Sequence, residues 1–584
     1  MNLPRIGLML KEENFYLSHL KERKLFFTFL IVIGIFASIC GILGLTLLIP
    51  SIFSSLEIKE SAKLFENQYF QKLSFIPLKA EYIGLLLAFS FIIVKNTLFV
   101  LLNYLTFQYK KKWIVKFRKT ILKKLFEAQN NFIKNSSLIK ISKILDDDIS
   151  KTGNAFSQII RLMIFYTQLI IYIAATLYIN WKIGLIALIV FSFFALLRKK
   201  ILKKIRGFAK KSINSSIRLY KKTVERLHAF EQIKISGKSK EVTDLISKES
   251  QVYESNRVKT QFTQSSVQNM IEVFGFLSVL TIIFISKQLF SSSIQANDFF
   301  IVMLILLRCV PIINQSIQFS TNISEAQESI LKVKGLLSNL NDHKEKVWGN
   351  KPLQEIKNLR VRSLTHHYKN PETPVLQIED LVFKRESTLL LGQSGSGKST
   401  LVQILAGLNE SEEGSLIINN KDSKHFNKKS YQKRIAYMGQ KIFLINASVF
   451  KNLEFLATHN LSEEDAMKAL EKAELKKEIL SLPKGIHNSL GENGSKLSGG
   501  EAQRIALAQI MIQNPDLILM DEATSSLDPE TEEKIVKTMI QLFQNKILVF
   551  ISHNPGLKKH FDRSIELRNG KIVNDSSVLQ SKIA

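Results

Sequence analysis

Cysteine is almost missing from this chain: Cys40 and Cys309 are the only two in 584 residues. Both fall inside apolar runs, so no disulfide framework is available to staple the fold. Acidic residues are scarce in the first three-fifths. Residues 1–349 carry 48 Lys and Arg against 23 Asp and Glu, whereas 350–584 carry 32 against 28. Nearly all of the +29 net charge therefore sits in the apolar part. The N-terminal stretch MNLPRIGLMLKEENFYLSHLKERK leads into a long apolar run with no small-residue cleavage site close behind. No signal peptide is expected, and the first apolar span would direct insertion itself. No internal repeat or low-complexity tract stands out.

What the first part has in quantity is hydrophobic length. A membrane-crossing helix needs about 20 mostly apolar residues. Six candidate spans emerge at 25–50, 82–107, 155–179, 182–197, 269–290 and 298–320. The third and fourth are separated by only Asn180 and Trp181, which predicts a tight hairpin with Trp181 at an interface. Segment 108–154 carries 12 Lys and Arg and segment 198–268 carries 18, while the other connections have few. Basic residues accumulate on the cytoplasmic side, so both termini and both long loops are expected inside. A basic protein often binds nucleic acid; here the charge lies between hydrophobic spans, and the membrane rule accounts for it better. The two loops show helical apolar spacing, for example Trp113, Phe117, Ile121 and Leu125, and read as helical extensions of the spans. Helical periodicity returns at 321–340, and residues 341–352 read as a linker.

The last 232 residues, 353–584, alternate like an α/β domain. The run STLLLGQSGSGKSTLVQILAGL reads as strand, loop and helix. Gly392, Gly397, Lys398 and Ser399 have the spacing of a phosphate loop, in which glycines let backbone N–H groups converge on phosphate oxygens. The helix N-terminus adds partial positive charge, Lys398 reaches the β- and γ-phosphates, and Ser399 can ligate Mg²⁺. DLILMDEATSSLD places Asp521 and Glu522 at the end of an apolar strand. Asp521 fits the second Mg²⁺ position, and Glu522, one residue on, fits the general base that polarises water. A further strand, 547–551, is followed by His553, which points to the same sheet edge. A second glycine-rich stretch, GENGSKLSGGEAQR at 491–504, looks at first like a redundant phosphate site.

In order and spacing these motifs resemble the nucleotide-binding domain of ATP-binding cassette (ABC) transporters over about 350–575. By that resemblance, Gly392, Gln393, Ser394, Gly395, Ser396, Gly397, Lys398, Ser399 and Thr400 form the Walker A loop. Gln440 is the Q-loop glutamine, which senses Mg²⁺ and water. Ser498, Gly499, Gly500 and Glu501 form the signature that meets ATP, and His553 is the switch histidine. Asp528 lies at a dimer interface, Tyr368 stacks on adenine, and Glu492 faces a coupling helix. The cofactors implied are ATP and Mg²⁺. Departures from the family pattern are Glu501 in place of Gln, Gln509 where an Arg is common, Asn554 after the histidine, and KREST in place of the usual Gly-Glu turn before the Walker A loop. The first part, 1–340, resembles the all-α six-span transmembrane domain of ABC exporters, with 132–150 and 224–241 as its intracellular loops.

The resemblance resolves the redundancy. In the family the signature of one chain meets the Walker A loop of another, so SGG is half of a site completed in trans. One set of motifs and six spans imply a half-transporter that pairs with a second copy; pairing with a paralogue is the other reading. The expected location is a bacterial cytoplasmic membrane. Ionisable groups within spans default to functional hypotheses: Lys95 and Arg308, with Arg161 nearer the inner end, are candidates for a cavity that attracts an anionic headgroup. Snorkelling or an internal ion pair is the alternative. The substrate expected is an amphipathic lipid or lipid-linked saccharide. A peptide or drug exporter stands second, and a soluble ATPase acting on nucleic acid is a distant third.

Overall fold

The computed structural model describes residues 24–55, 80–290, 296–346, 348–367, 374–410, 413–457, 459–524 and 527–576. Tyr368, assigned to adenine stacking, lies outside them, as do Ser525 and Ser526. Contacts divide the chain into two units. One comprises residues up to Phe126 with Ser136–Asp342; the other comprises Glu127–Asn135 and the chain from His343.

The first unit is helical. Its long helices are α1 (Lys24–Ser55) and α2 (Ala80–Phe126). After α3 (Asn130–Asn135), which belongs to the other unit, come α4 (Leu138–Lys143), α5 (Ile149–Ile179) and α6 (Trp181–His228). The short α7 (Phe230–Ile235) precedes α8 (Ser239–Phe290) and α9 (Ala296–Asp342). Among the described residues, four helical stretches are long and apolar enough to cross a membrane: Lys24–Leu48, Tyr82–Phe126, Leu138–Ile179 and Phe300–Asp342. The expected fourth and fifth spans lie on α6 and α8. The basic loops are helical, as their periodicity indicates.

The hairpin between α5 and α6 is made by Asn180, whose extended backbone ends one helix while its side chain accepts from the Ile183 N–H at 3.2 Å and starts the next. Trp181 beside it is exposed. On α5 the buried positions Phe156, Ile160, Ile164, Gln168, Tyr172 and Thr176 recur every four residues, the spacing of one helix face. Phe156 stacks on Tyr109 and Trp113 of α2, with ring centroids 5.6 and 6.1 Å apart. Glycine permits close helix approaches. A Cβ on Gly153 would stand 2.7 Å from Ile114 of α2, and one on Gly275 would stand 2.6 Å from Val310 of α9. Between α4 and α5 the chain makes one π turn, Ile144–Asp148, where buried Asp148 accepts from Ser329 of α9 at 2.6 Å.

The second unit has two sheets. Strands β1 (Leu359–His366), β2 (Leu376–Phe383), β4 (Glu413–Ile418) and β5 (Lys421–Asp422) form an antiparallel sheet in the order β2-β1-β4-β5. The other sheet has the order β10-β9-β3-β8-β7-β6, with β3 (Ser387–Leu391), β6 (Ile435–Met438), β7 (Leu517–Asp521), β8 (Ile547–Ile551), β9 (Arg563–Arg568) and β10 (Lys571–Asp575). Strands β9, β3, β8, β7 and β6 are parallel, and β7 and β8 are buried along their whole length, as parallel strands covered on both faces are. The helices are α10 (Lys398–Leu405), α11 (Lys428–Gln432), α12 (Val449–Leu456), α13 (Glu463–Lys472), α14 (Lys476–Ser481), α15 (Gly499–Gln513) and α16 (Pro529–Leu542). The segment read as a linker is laid down on this unit: Lys344 bridges Ala128, and Lys351 bridges Phe426.

Candidate functional site

Adjacent parallel strands β3, β8 and β7 end at one edge of the sheet. Ligands of open α/β sheets bind outside the carboxyl ends of such strands. Beyond β3 comes the phosphate loop and α10, beyond β8 His553, and at the tip of β7 Asp521 and Glu522. The loop needs its glycines for two reasons. Gly392, Gly395 and Gly397 have φ of 146°, 82° and 100°, where only glycine is comfortable. A Cβ on Gly392 would also stand 2.3 Å from the Leu567 carbonyl oxygen. Gln393, Ser394 and Gly395 are exposed, while Ser396, Gly397, Lys398 and Thr400 are buried beneath them. The Lys398 ammonium donates to the Gly392 and Gln393 carbonyls at 2.7 and 2.9 Å. Burial pushes its pKa down, and the carboxylates of Glu522 and Asp521 pull it partly back. A cation is thus held at the mouth of the loop, where phosphate charge would sit.

Asp521 is 3% exposed, and its Oδ1 accepts from Ser399 Oγ at 3.0 Å. Burial raises its carboxyl pKa and the Glu522 charge raises it further, while the Ser399 hydrogen bond works the other way. Two hard oxygen donors meeting beside a buried carboxyl fit a magnesium ion, which takes few protein ligands and completes its shell with phosphate and water. Glu522 has a positive φ of 53°, a conformation that costs a non-glycine residue energy and clusters at functional sites. It is clamped from both sides: Gln440 Nε2 donates to Oε2 at 3.0 Å, and His553 Nε2 lies 2.8 Å from Oε1. The three residues that the sequence assigns to the reacting end of the site are therefore in mutual contact.

The signature stretch begins α15. The Ser498 hydroxyl accepts from the Glu501 N–H at 3.2 Å, and the Glu501 carboxylate accepts from the Ser498 N–H at 2.7 Å, closing a reciprocal capping box. The Glu501 departure thus has a local structural role. Ser498 and Gly499 are exposed and Gly500 is half-buried. Asp528 caps α16 by accepting from the Thr531 N–H at 2.9 Å, which holds its carboxyl below the usual range. Glu492 is exposed at the start of a 3-10 turn. Two further departures have local partners: buried Gln509 donates to the Asn452 carbonyl at 2.7 Å, and Asn554 donates to Glu532 at 3.0 Å.

Sequence reading missed three residues beside the metal pair: Lys134, Gln403 and Tyr437. They line one cavity of about 500 Å³ together with Ser399, Gln440 and Asp521. Gln403 had a signal, since it stands four residues after Ser399 on one helix face. Lys134 had none, because it comes from 264 positions before Lys398 in a basic stretch.

In the helical unit, Lys95 is half-buried and Arg308 exposed. Arg308 lies within electrostatic range of Lys95 and Tyr172. A Cβ on Gly41 would come within 3.1 Å of Lys95 Cδ and 3.2 Å of the Tyr172 oxygen, so these groups crowd one point. Gln168 donates to Tyr172 at 3.0 Å. Arg161 is elsewhere: its guanidinium lies 4.9 Å from the Phe107 ring centre and 5.8 Å from that of Phe319. Arg308 thus lies within electrostatic range of Lys95, while Arg161 sits among aromatic rings.

Comparison with known proteins adds three findings. The model of the ABC transporter transmembrane region matches residues 24–309, and the ABC transporter model matches 378–525. The chain is 27% identical over 469 residues to "ATP-dependent lipid A-core flippase 2" of Colwellia psychrerythraea, covering 79% of each chain. It is 26% identical to the ATP-dependent lipid A-core flippase of Francisella tularensis over 79% of this chain and 77% of that one. Among solved structures, a bacterial Atm1-family ABC exporter with ATP bound superposes with a TM-score of 0.76, at 16% identity over 97% of each chain. That likeness is one of fold.

Proposed function

The chain belongs to the ABC transporters, with an exporter-type helical membrane domain fused to an ATPase domain, and from that premise we propose that it moves a lipid-type amphiphile between the leaflets of a bacterial cytoplasmic membrane. The observation that supports this reading is the placement of Lys95 against Tyr172, with Arg308 within electrostatic range of both. Two cations on membrane-spanning helices suit a phosphate-bearing headgroup. The names of the relatives, lipid A-core flippases, point to the same substrate class.

For hydrolysis we assign Glu522 as the general base. It takes a proton from water as the oxygen bonds to the γ-phosphorus and the bond to the β–γ bridging oxygen breaks, releasing ADP. Gln440 and His553, already in contact with its two oxygens, orient the carboxylate and the water, and Lys398 stabilises phosphate charge. Ser399 and Asp521 would hold magnesium, which when bound neutralises charge on the β- and γ-phosphates. The exposed start of α15, with Ser498, Gly499 and Gly500, meets the nucleotide of a second copy, and Asp528 lies at that interface. Both termini and both long loops face the cytoplasm, as the distribution of basic residues requires. ATP closes the paired domains and hydrolysis reopens them, a two-state change that moves the spans between inward- and outward-facing forms.

The test is ATPase stimulation in nanodiscs across panels of anionic lipids, glycolipids, peptides and drugs. Anionic glycolipids are expected to stimulate, and Lys95→Ala with Arg308→Ala to remove the stimulation while leaving basal hydrolysis. Stimulation by peptides alone would overturn the substrate class, and full lipid stimulation of the double variant would overturn the cavity.

A further inference from the structure

The segment Glu127–Asn135 lies between two long helices of the membrane unit but packs within the nucleotide-binding unit. Part of its anchorage is a polar side-chain network. Asn130 Nδ2 donates to Asn409 Oδ1 at 3.3 Å, and Asn409 Nδ2 donates to Gln403 Oε1 at 3.0 Å. The Lys134 ammonium donates to the same Gln403 oxygen at 2.8 Å. Gln403 is thus the acceptor that holds the Lys134 end of the segment, whose start is held by the Ala128–Lys344 bridge and by Phe132 stacked on His343. It is also on α10, one turn after Ser399, whose hydroxyl touches Asp521.

This brings a positive charge onto the wall that carries the metal pair, since Lys134, Ser399 and Asp521 line one cavity. Burial lowers the Lys134 pKa while the Asp521 charge raises it, and Lys134 in turn draws the Asp521 carboxyl downward. An ammonium in the field of a carboxylate competes with any divalent cation bound by that carboxylate. Linkage makes the competition reciprocal: whatever Lys134 does to magnesium affinity, magnesium does to the hold of Gln403 on Lys134.

We propose that Lys134 is a positioning residue that opposes magnesium at Ser399 and Asp521, so that metal binding loosens the Lys134–Gln403 fastening and reports nucleotide loading to the intracellular segment. The proposal rests on the assignment of Ser399 and Asp521 as the magnesium pair. It names a polar route from the metal to the first intracellular segment, separate from the contact between Gln440 and Glu522.

The test uses the full-length chain in nanodiscs, in a Glu522→Gln background that retains nucleotide. Binding of a fluorescent ATP analogue is titrated with magnesium and measured again in EDTA. Lys134→Met is expected to lower the half-saturating magnesium concentration by about threefold to tenfold, as removal of a nearby like charge does. Lys134→Arg should titrate like the parent, and affinity in EDTA should agree among all three. Hydrogen exchange of residues 127–135 should rise with magnesium nucleotide in the parent, and this rise should shrink in Lys134→Met. Should Lys134→Met not yield folded protein, Lys134→Gln carries the same expectation. An unchanged magnesium titration in the folded neutral variant overturns the proposal while the metal pair stands. An equal loss of affinity in EDTA also overturns it, since Lys134 would then be a phosphate contact. No magnesium dependence in the parent overturns the metal pair and the proposal together.

Discussion

At the scale of single residues, the proposed hydrolysis rests on Glu522. Its backbone is held at positive φ and both of its oxygens are engaged by Gln440 and His553. A positioned general base contributes about 10²–10⁴-fold to rate, so Glu522→Gln should cut ATP hydrolysis by about a hundredfold or more. Nucleotide binding should be retained, because Lys398 and the loop are untouched. Steady-state ATPase and equilibrium nucleotide binding, measured side by side, check this; near-normal hydrolysis would remove Glu522 from its role. Most of these residues were legible in the sequence because each stands at a fixed offset from a strand end: Asp521 and Glu522 at the tip of β7, His553 just past β8. Tertiary contact alone brings Lys134 to Gln403, and no spacing rule reaches across such a separation. The reason for Glu501 was likewise hidden until the helix start was seen, where its carboxylate completes the cap on Ser498.

At the scale of elements, the α5 stripe from Phe156 to Thr176 was readable as periodicity, and the break at Asn180 as the short interval of Asn180 and Trp181 between apolar runs. The extent of the helices beyond the spans followed from the same spacing. The π turn at Ile144–Asp148 did not, because an α-helical sequence pattern continues through it. Close helix approaches were also invisible, since a glycine in an apolar run has no pattern until its neighbour is known. Gly275 against Val310 is the tightest of those between long helices. Gly275→Ala should force α8 and α9 apart and cost about 1–3 kcal/mol, as overpacking does. Its melting temperature in detergent should fall by several degrees; an unchanged value would mean that the two helices slide freely.

At the scale of the whole molecule, the chain carries one complete set of nucleotide motifs, and its signature helix start is exposed on the single copy. The account therefore requires a second copy. The cysteine content makes this simple to examine, because Cys40 and Cys309 are both buried and can be replaced by serine. A mixture of chains bearing Ser394→Cys and chains bearing Ser498→Cys should cross-link in the presence of ATP, whereas neither chain alone should. Absence of the mixed product would place the signature elsewhere. The proposed substrate class rests on the membrane unit. The most direct measurement is leaflet exchange of a labelled anionic glycolipid in proteoliposomes that contain only this protein. ATP-dependent exchange that is lost in Glu522→Gln is the expected result, and equal exchange by both proteins, or none by either while a peptide is transported, would contradict it.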